Sequence, residues 1–290
     1  MNRQSPVENI HPQSLCIVGL GLMGASLALA VREQYPSITA VTRRQETADE
    51  ALKRGIVDSA TTDFEAGIHD AGLIVLAAPV RTIIQQLSAL QKSGRSLIVT
   101  DLGSTKTEIV AAMSALPANM CAVGSHPMCG KEVTGLDAAD ASLYRGKTWV
   151  LTRTQRTDDA SFAAVKQLAE AAGAITIELE AQRHDHLVSL ISHLPYAVSA
   201  ALMQTVDATS MNDDAVYRVA ASGFRDTTRI AASDVSMMLD ILMTNADAVL
   251  GSVRDFQFTL DQFAAMLERR DEAGLRAYLE GVARAKRAHI

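Results

Sequence analysis

Residues 15–24 read LCIVGLGLMG, and this stretch decides the fold. Four apolar residues suited to a buried strand run into Gly19, Gly21 and Gly24, and an alanine- and leucine-rich segment of helical pattern, residues 25–32, follows at once. A G-x-G-x-x-G pattern between a strand and a helix is a dinucleotide-binding fingerprint, whereas the same glycines elsewhere make only a turn. Gly19 permits the tight turn out of the strand, Gly21 leaves the backbone bare for a pyrophosphate, and Gly24 lets the helix pack close on the sheet. The helix start, with Leu22 and Met23 beside Gly24, offers free N–H groups and partial positive charge to the phosphates.

Outward from this motif, residues 37–41 read as a second strand ending on Thr42, Arg43 and Arg44. About 20 residues past the glycines a carboxylate ordinarily binds the ribose hydroxyls. Here two guanidiniums and the hydroxyls of Thr42 and Thr47 stand instead, a set suited to a 2'-phosphate. The sequence therefore favours NADP over NAD. The apolar run 73–77 is a buried strand closed by Pro79, and the turn through Ala78 and Pro79 falls where a doubly wound sheet passes the nicotinamide half of its cofactor.

Residues 96–100 supply another strand, and DLGSTK at 101–106 then opens a helix at 107–115. Strand, polar loop and helix put Ser104 at the same edge of the sheet, where it serves the chemistry or simply caps the helix. A strand at 120–123 delivers GSHPMCGKE at 124–132. His126, its backbone restricted by the following proline, is the best general-base candidate in this half. Strands at 149–153 and 174–179 flank a helix at 160–171, and beyond Glu180 strand-like runs give way to helical periodicity. The division expected is a dinucleotide-binding domain over 1–180 and a helical domain over 181–290.

His184, His186 and His193 cluster where the helical part begins. His186 and His193 are seven apart, which puts them on one helix face with Ser189, and Pro195 kinks or ends that helix. No carboxylate stands at helical ligand spacing beside them, so the cluster reads as a substrate-facing polar patch and not as a metal site. Arg225 and Arg229, four apart in a polar cluster at 221–230 that interrupts the helices, offer forked donors for a carboxylate. Val249, Val253, Phe256, Leu260, Phe263 and Leu267 recur at spacings of four and three, an apolar seam suited to a second copy of the chain.

Composition bounds the partners. The 290 residues are 48% hydrophobic, enough for two folded domains, and the net charge of −6 comes from interspersed charges without a basic face. With aromatics at 4%, nucleic acid is not expected. The polar start of the chain lacks a signal-peptide pattern and no uninterrupted apolar run reaches membrane-spanning length, so a cytoplasmic location is expected. Three cysteines form no disulfide framework, and Cys121, His126 and Cys129 make an incomplete zinc set.

Taken together, GLGLMG at 19–24, DLGSTK at 101–106, GSHPMCG at 124–130, SHLP at 192–195 and SGFRDTTR at 222–229 resemble, in the same order, the prephenate and arogenate dehydrogenases of tyrosine biosynthesis. The resemblance covers residues 15 to about 255. It implies an α/β, doubly wound Rossmann-type sheet followed by an all-α dimerisation domain, with oxidative decarboxylation of prephenate or arogenate between them and hydride transfer to NAD(P). It also implies that His126 is the catalytic histidine, that Ser104 orients it and the substrate hydroxyl, that Arg229 binds a substrate carboxylate, and that His193 lines the pocket.

Two positions depart from many members: Tyr196 stands where a second histidine follows SHLP, and Lys131 where a threonine follows the glycine. A Lys131 ammonium near the substrate side chain would favour the keto acid, while the arginines after the second strand resemble those of NADP-using arogenate enzymes. Beta-hydroxyacid dehydrogenases share the glycine motif, but they need a lysine in the helical domain and none lies between Lys166 and Lys286. A non-catalytic NADP-binding regulator would need neither His126 nor Arg229.

Overall fold

The computed structural model describes residues 14–131, 133 and 135–289; Glu132 of the loop motif and the polar start of the chain lie outside them. The first half alternates strand and helix: β1 (Ser14–Val18), α1 (Leu22–Ala30), β2 (Ser37–Val41), α2 (Gln45–Lys53), β3 (Ser59–Thr61), α3 (Phe64–Ile68), β4 (Leu73–Leu76), α4 (Val80–Leu90), β5 (Leu97–Asp101), α5 (Thr107–Ser114), β6 (Met120–Pro127), β7 (Thr148–Arg153), α6 (Asp159–Ala171) and β8 (Ile175–Glu178). The strands form one sheet in the order β3-β2-β1-β4-β5-β6-β7-β8, parallel throughout except for β6 against β7. The chain winds outward from β1 to one edge and restarts at β4. The carboxyl ends of β1 and β4 therefore diverge into a crevice, which is where such sheets bind ligands.

Alternation along β1 shows how the core is made. Leu15 and Ile17 join one buried cluster with Leu27 and Ala28 of α1 and Val165 and Leu168 of α6. Cys16 and Val18 face the opposite cluster, with Ile83 and Leu87 of α4 and Ile109 and Met113 of α5. Helices thus cover both faces, and each large apolar side chain so buried contributes about 1.5–3 kcal/mol.

β6 differs from expectation. It continues four residues beyond Val123 because β7 pairs with it antiparallel, setting His126 opposite Val150 and Pro127 opposite Trp149. His126 is held by a sheet, not by a loop.

From Ala181 the chain is helical: α7 (Ala181–Val188), a π-helical turn (Ser189–His193), α8 (Leu194–Ser210), α9 (Ala215–Arg218), α10 (Ser222–Thr228), a 3-10 turn (Arg229–Ala232), α11 (Val235–Thr244), α12 (Ala246–Glu268) and α13 (Glu272–His289). Pro195 does not end the helix. It lacks an N–H and its ring would strike the carbonyl four residues back, and the preceding turn widens so that Ala181–Ser210 runs on as one helix. By length and composition this helix could cross a membrane. Its buried side chains, however, include His184, Asp185, Ser189 and His193, all hydrogen-bonded within the protein, which makes it the spine of the helical half.

The face expected to unite His186 with His193 does not exist: His193 and Ser189 are buried while His186 is exposed. The polar cluster at 221–230, expected as an interruption, is itself helical over Ser222–Thr228.

Candidate active site

The glycine turn has the shape its sequence calls for. Gly19 has φ +107°, and a Cβ there would lie 2.3 Å from the Ala77 carbonyl oxygen. A Cβ on Gly24 would lie 1.9 Å from the Gly19 carbonyl oxygen, so α1 sits directly on the turn. At Gly21, by contrast, nothing beyond the adjoining residues lies within 4 Å of that position, and this glycine precedes α1 without a side-chain cap. A bare backbone facing open space, with uncapped helix N–H groups behind it, fits a pyrophosphate.

At the same edge of the sheet, the end of β6 carries His126. Beneath it, the buried Lys106 Nζ is ion-paired with Asp101 and donates to the Ser125 carbonyl at 2.7 Å, while the Ser125 amide donates to Asp101 Oδ1 at 2.8 Å. These bonds tie the ends of β5 and β6 together.

The helical half closes onto this platform. His126 Nδ1 lies 2.9 Å from His184 Nε2, and His184 Nδ1 lies 2.8 Å from Asp185 Oδ1. Asp185 in turn accepts from the backbone amides of Lys106 at 2.7 Å and Thr107 at 2.8 Å, at the start of α5. Asn245, between α11 and α12, donates to the Asp185 carbonyl at 2.8 Å and to His193 Nδ1 at 3.3 Å. Thr105 meets Thr244 at 2.9 Å, and the Arg81 amide donates to Asp240 at 3.0 Å.

Burial dominates the electrostatics. It drives the Asp101 carboxyl up and the Lys106 ammonium down, each against the attraction of the other. His126 is held well below the usual histidine range by burial, with the charges of His184, Lys106 and His193 adding to the effect. At neutral pH its ring is therefore neutral and ready to accept a proton. Burial raises Asp185, but hydrogen bonds from His184, Thr107 and Lys106 outweigh it and hold the carboxyl below its ordinary range.

Burial lowers His193 to about 4. Because the unfolded chain binds that proton near pH 6.5 and the folded chain does not, His193 contributes stability that is complete above about pH 6.5 and is lost as pH falls toward about 4. Denaturant midpoints should therefore drop across this window, and drop less in His193→Asn; equal acid sensitivity in the two proteins would contradict the assignment.

The remaining expected residues are distributed as follows. Arg43 and Arg44 are exposed beyond β2, Thr42 is buried with its hydroxyl donating to the Arg44 carbonyl at 2.9 Å, and Thr47 is half-buried in α2. Ala78 is half-buried and Pro79 exposed between β4 and α4. Ser104 is half-buried between β5 and α5, while the Nδ1 of His126 is engaged by His184. Tyr196 is half-buried in the first turn of α8, and the exposed Arg229 opens the 3-10 turn packed on that helix. Lys131 forms an ion pair with Asp140 at 2.9 Å, which offsets the positive charge expected to face a substrate.

Sequence reasoning gave no role to Asp185, Asn245, Asp240 or the Asp101–Lys106 pair. His184 and Asp185 are adjacent polar residues at a helix start, as on many solvated surfaces, and only the approach of α5 distinguishes them.

The family model for the nucleotide-binding domain of prephenate dehydrogenase matches residues 27–178, and the model for its dimerization domain matches residues 180–281. The chain belongs to the prephenate dehydrogenase family, oxidoreductases of tyrosine biosynthesis that use a nicotinamide cofactor. It is 34% identical to a prephenate dehydrogenase of Bacillus subtilis over 94% of this chain and 75% of the relative, and 30% identical to a cyclohexadienyl dehydrogenase of Zymomonas mobilis over 88% and 86%. The structure of the Aquifex aeolicus prephenate dehydrogenase, in complex with hydroxyphenyl propionate and NAD+, superposes with TM-score 0.90 at 31% identity, covering 97% of this chain and 99% of that one. Synechocystis arogenate dehydrogenase gives TM-score 0.81 at 30% identity over 96% and 100%. A 3-hydroxyisobutyrate dehydrogenase of Mycobacterium tuberculosis, at 12% identity and TM-score 0.55, shares the fold alone.

Proposed function

We propose that this chain oxidatively decarboxylates prephenate or arogenate, giving 4-hydroxyphenylpyruvate or tyrosine, with NADP preferred over NAD. The observation that carries the reading is a neutral, half-buried imidazole, His126, on the sheet edge that also bears the open turn at Gly21. The nicotinamide, when bound, supplies the hydride acceptor. His126 takes the proton of the ring hydroxyl as hydride leaves the same carbon, and Ser104 orients that hydroxyl. Arg229 holds a substrate carboxylate without protonating it. His193 and Tyr196 line the substrate side chain, with Lys131 at the rim. Gly19, Gly21, Leu22, Met23 and Gly24 cradle the pyrophosphate, and Ala78 and Pro79 flank the nicotinamide.

The NADP preference rests on Thr42, Arg43, Arg44 and Thr47 and on the lack of a carboxylate at the end of β2. Domain limits of 1–180 and 181–290 and a cytoplasmic location belong to the same reading. So does a homodimer through the helical domain. Most exposed large apolar side chains among the described residues lie beyond residue 180, including Leu260 and Leu267 of the α12 seam, and α13 buries no residue within the single chain. The related dimerization-domain model supports this pairing.

The test follows reduced-cofactor absorbance with prephenate and arogenate, each against NAD and NADP. Signal with one or both substrates, stronger with NADP, is expected; no signal in any combination overturns the assignment. Arg229→Ala should raise KM by about tenfold or more, the scale of one lost charge-assisted hydrogen bond, with a smaller change in kcat. An unchanged KM removes Arg229 from substrate binding.

A further inference from the structure

We infer that Asp185, acting through His184, is a positioning residue that fixes the proton of His126 on Nδ1 and leaves Nε2 as the basic atom. The inference rests on the role proposed above for His126.

The donors and acceptors along the chain of contacts fix each tautomer in turn. Asp185 Oδ1 accepts from His184 Nδ1 and the Lys106 amide, and Oδ2 accepts from the Thr107 amide. A carboxylate taking three donors at a helix start stays ionised, so it has no proton to give. His184 must then carry its proton on Nδ1. When neutral, it presents a lone pair at Nε2 to His126 Nδ1, 2.9 Å away, and only an N–H can answer it. The last free atom of the chain is His126 Nε2.

The charged and titratable neighbours of the ring favour this state. They are His184, His193 and Lys106, the last paired with Asp101. His193 shows the opposite arrangement. It accepts at Nδ1 from Asn245, so its neutral ring carries the proton at Nε2.

In the step itself, the substrate O–H bond breaks and its proton goes to His126 Nε2. The oxygen pair forms the carbonyl as hydride leaves the same carbon for the nicotinamide. The electrons of the breaking bond to the ring carboxylate enter the ring and pass through it to the carbonyl oxygen as carbon dioxide departs, and that oxygen takes the proton back from His126 Nε2 to become the phenol hydroxyl. The imidazolium so formed donates from Nδ1 to His184, whose other nitrogen is bonded to the Asp185 carboxylate. Asp185 thereby stabilises a charge it never touches.

The test labels histidine with 15N and records long-range 1H–15N spectra of the intact, unmodified protein above pH 7. His126 is expected as the Nδ1–H tautomer; an Nε2–H tautomer overturns the inference, whatever the activity assays show. In Asp185→Asn, Nδ2 must face either the Thr107 amide or the donors at Oδ1, so His184 loses its fixed orientation. That variant should lose about 10²-fold or more in kcat, with little change in KM or cofactor affinity, and the acid limb of its pH profile should move. Should it fail to fold, the spectrum of the unmodified protein still decides. Unchanged kcat and pH profile in a folded variant refute the positioning role.

Discussion

Replacing His126 with asparagine should lower turnover by about 10²- to 10⁴-fold, the usual contribution of a positioned general base, while cofactor affinity stays unchanged. The reason lies in where the ring sits. It projects from the last residues of β6 against the His184 ring, with centroids 5.1 Å apart, and does not belong to the glycine turn. Asparagine can keep a hydrogen bond to His184 but cannot accept the hydroxyl proton near neutral pH. Stopped-flow absorbance for turnover and titration calorimetry for the cofactor separate the two effects. Turnover equal to that of the parent protein ends the proposed mechanism.

The second large effect is expected at the turn itself, where two glycines five residues or fewer from Gly19 should fail in different ways. In Gly24→Ala the new Cβ meets the Gly19 carbonyl at 1.9 Å and the Ala77 Cβ at 3.1 Å, so α1 must shift away from backbone that cannot yield. Overpacking of this kind costs about 1–3 kcal/mol, occasionally more, or a fall of several degrees in Tm, and cofactor binding goes with it. In Gly21→Ala the methyl meets nothing beyond the adjoining residues within 4 Å. The melting temperature should hold while cofactor affinity falls by about tenfold or more, because the methyl occupies the approach of the pyrophosphate. A Gly21→Ala protein that binds as well as its parent would remove the phosphates from this turn.

The fold was legible because its signals are local. The apolar run before Gly19, the pattern of α1 and the buried tetrad Leu73–Leu76 each announce themselves within a few residues, and doubly wound order follows from their alternation. The site was legible only in part. GSHPMCG and DLGSTK brought His126 and Ser104 forward because they stand at strand ends beside polar loops. Asp185 and Asn245 gave no such sign, since, apart from the His184 ring beside Asp185, their partners are backbone groups and a ring from residues 52 or more away in sequence. Lys106 stands in a polar loop by its sequence, yet it is completely buried, since Asp101 five residues earlier supplies its counter-charge. The length of β6 escaped for a related reason: a strand is prolonged by its neighbour, and β7 lies more than 20 residues downstream.

Asp185 belongs to the helical half and is grasped by the first amides of α5 from the other half. Hinge-like separation of the two halves would break that grip, and with it the support of His126. The support of the base proposed at His126 is therefore complete only while the two halves stay together, so any opening of the cleft would also take that support apart.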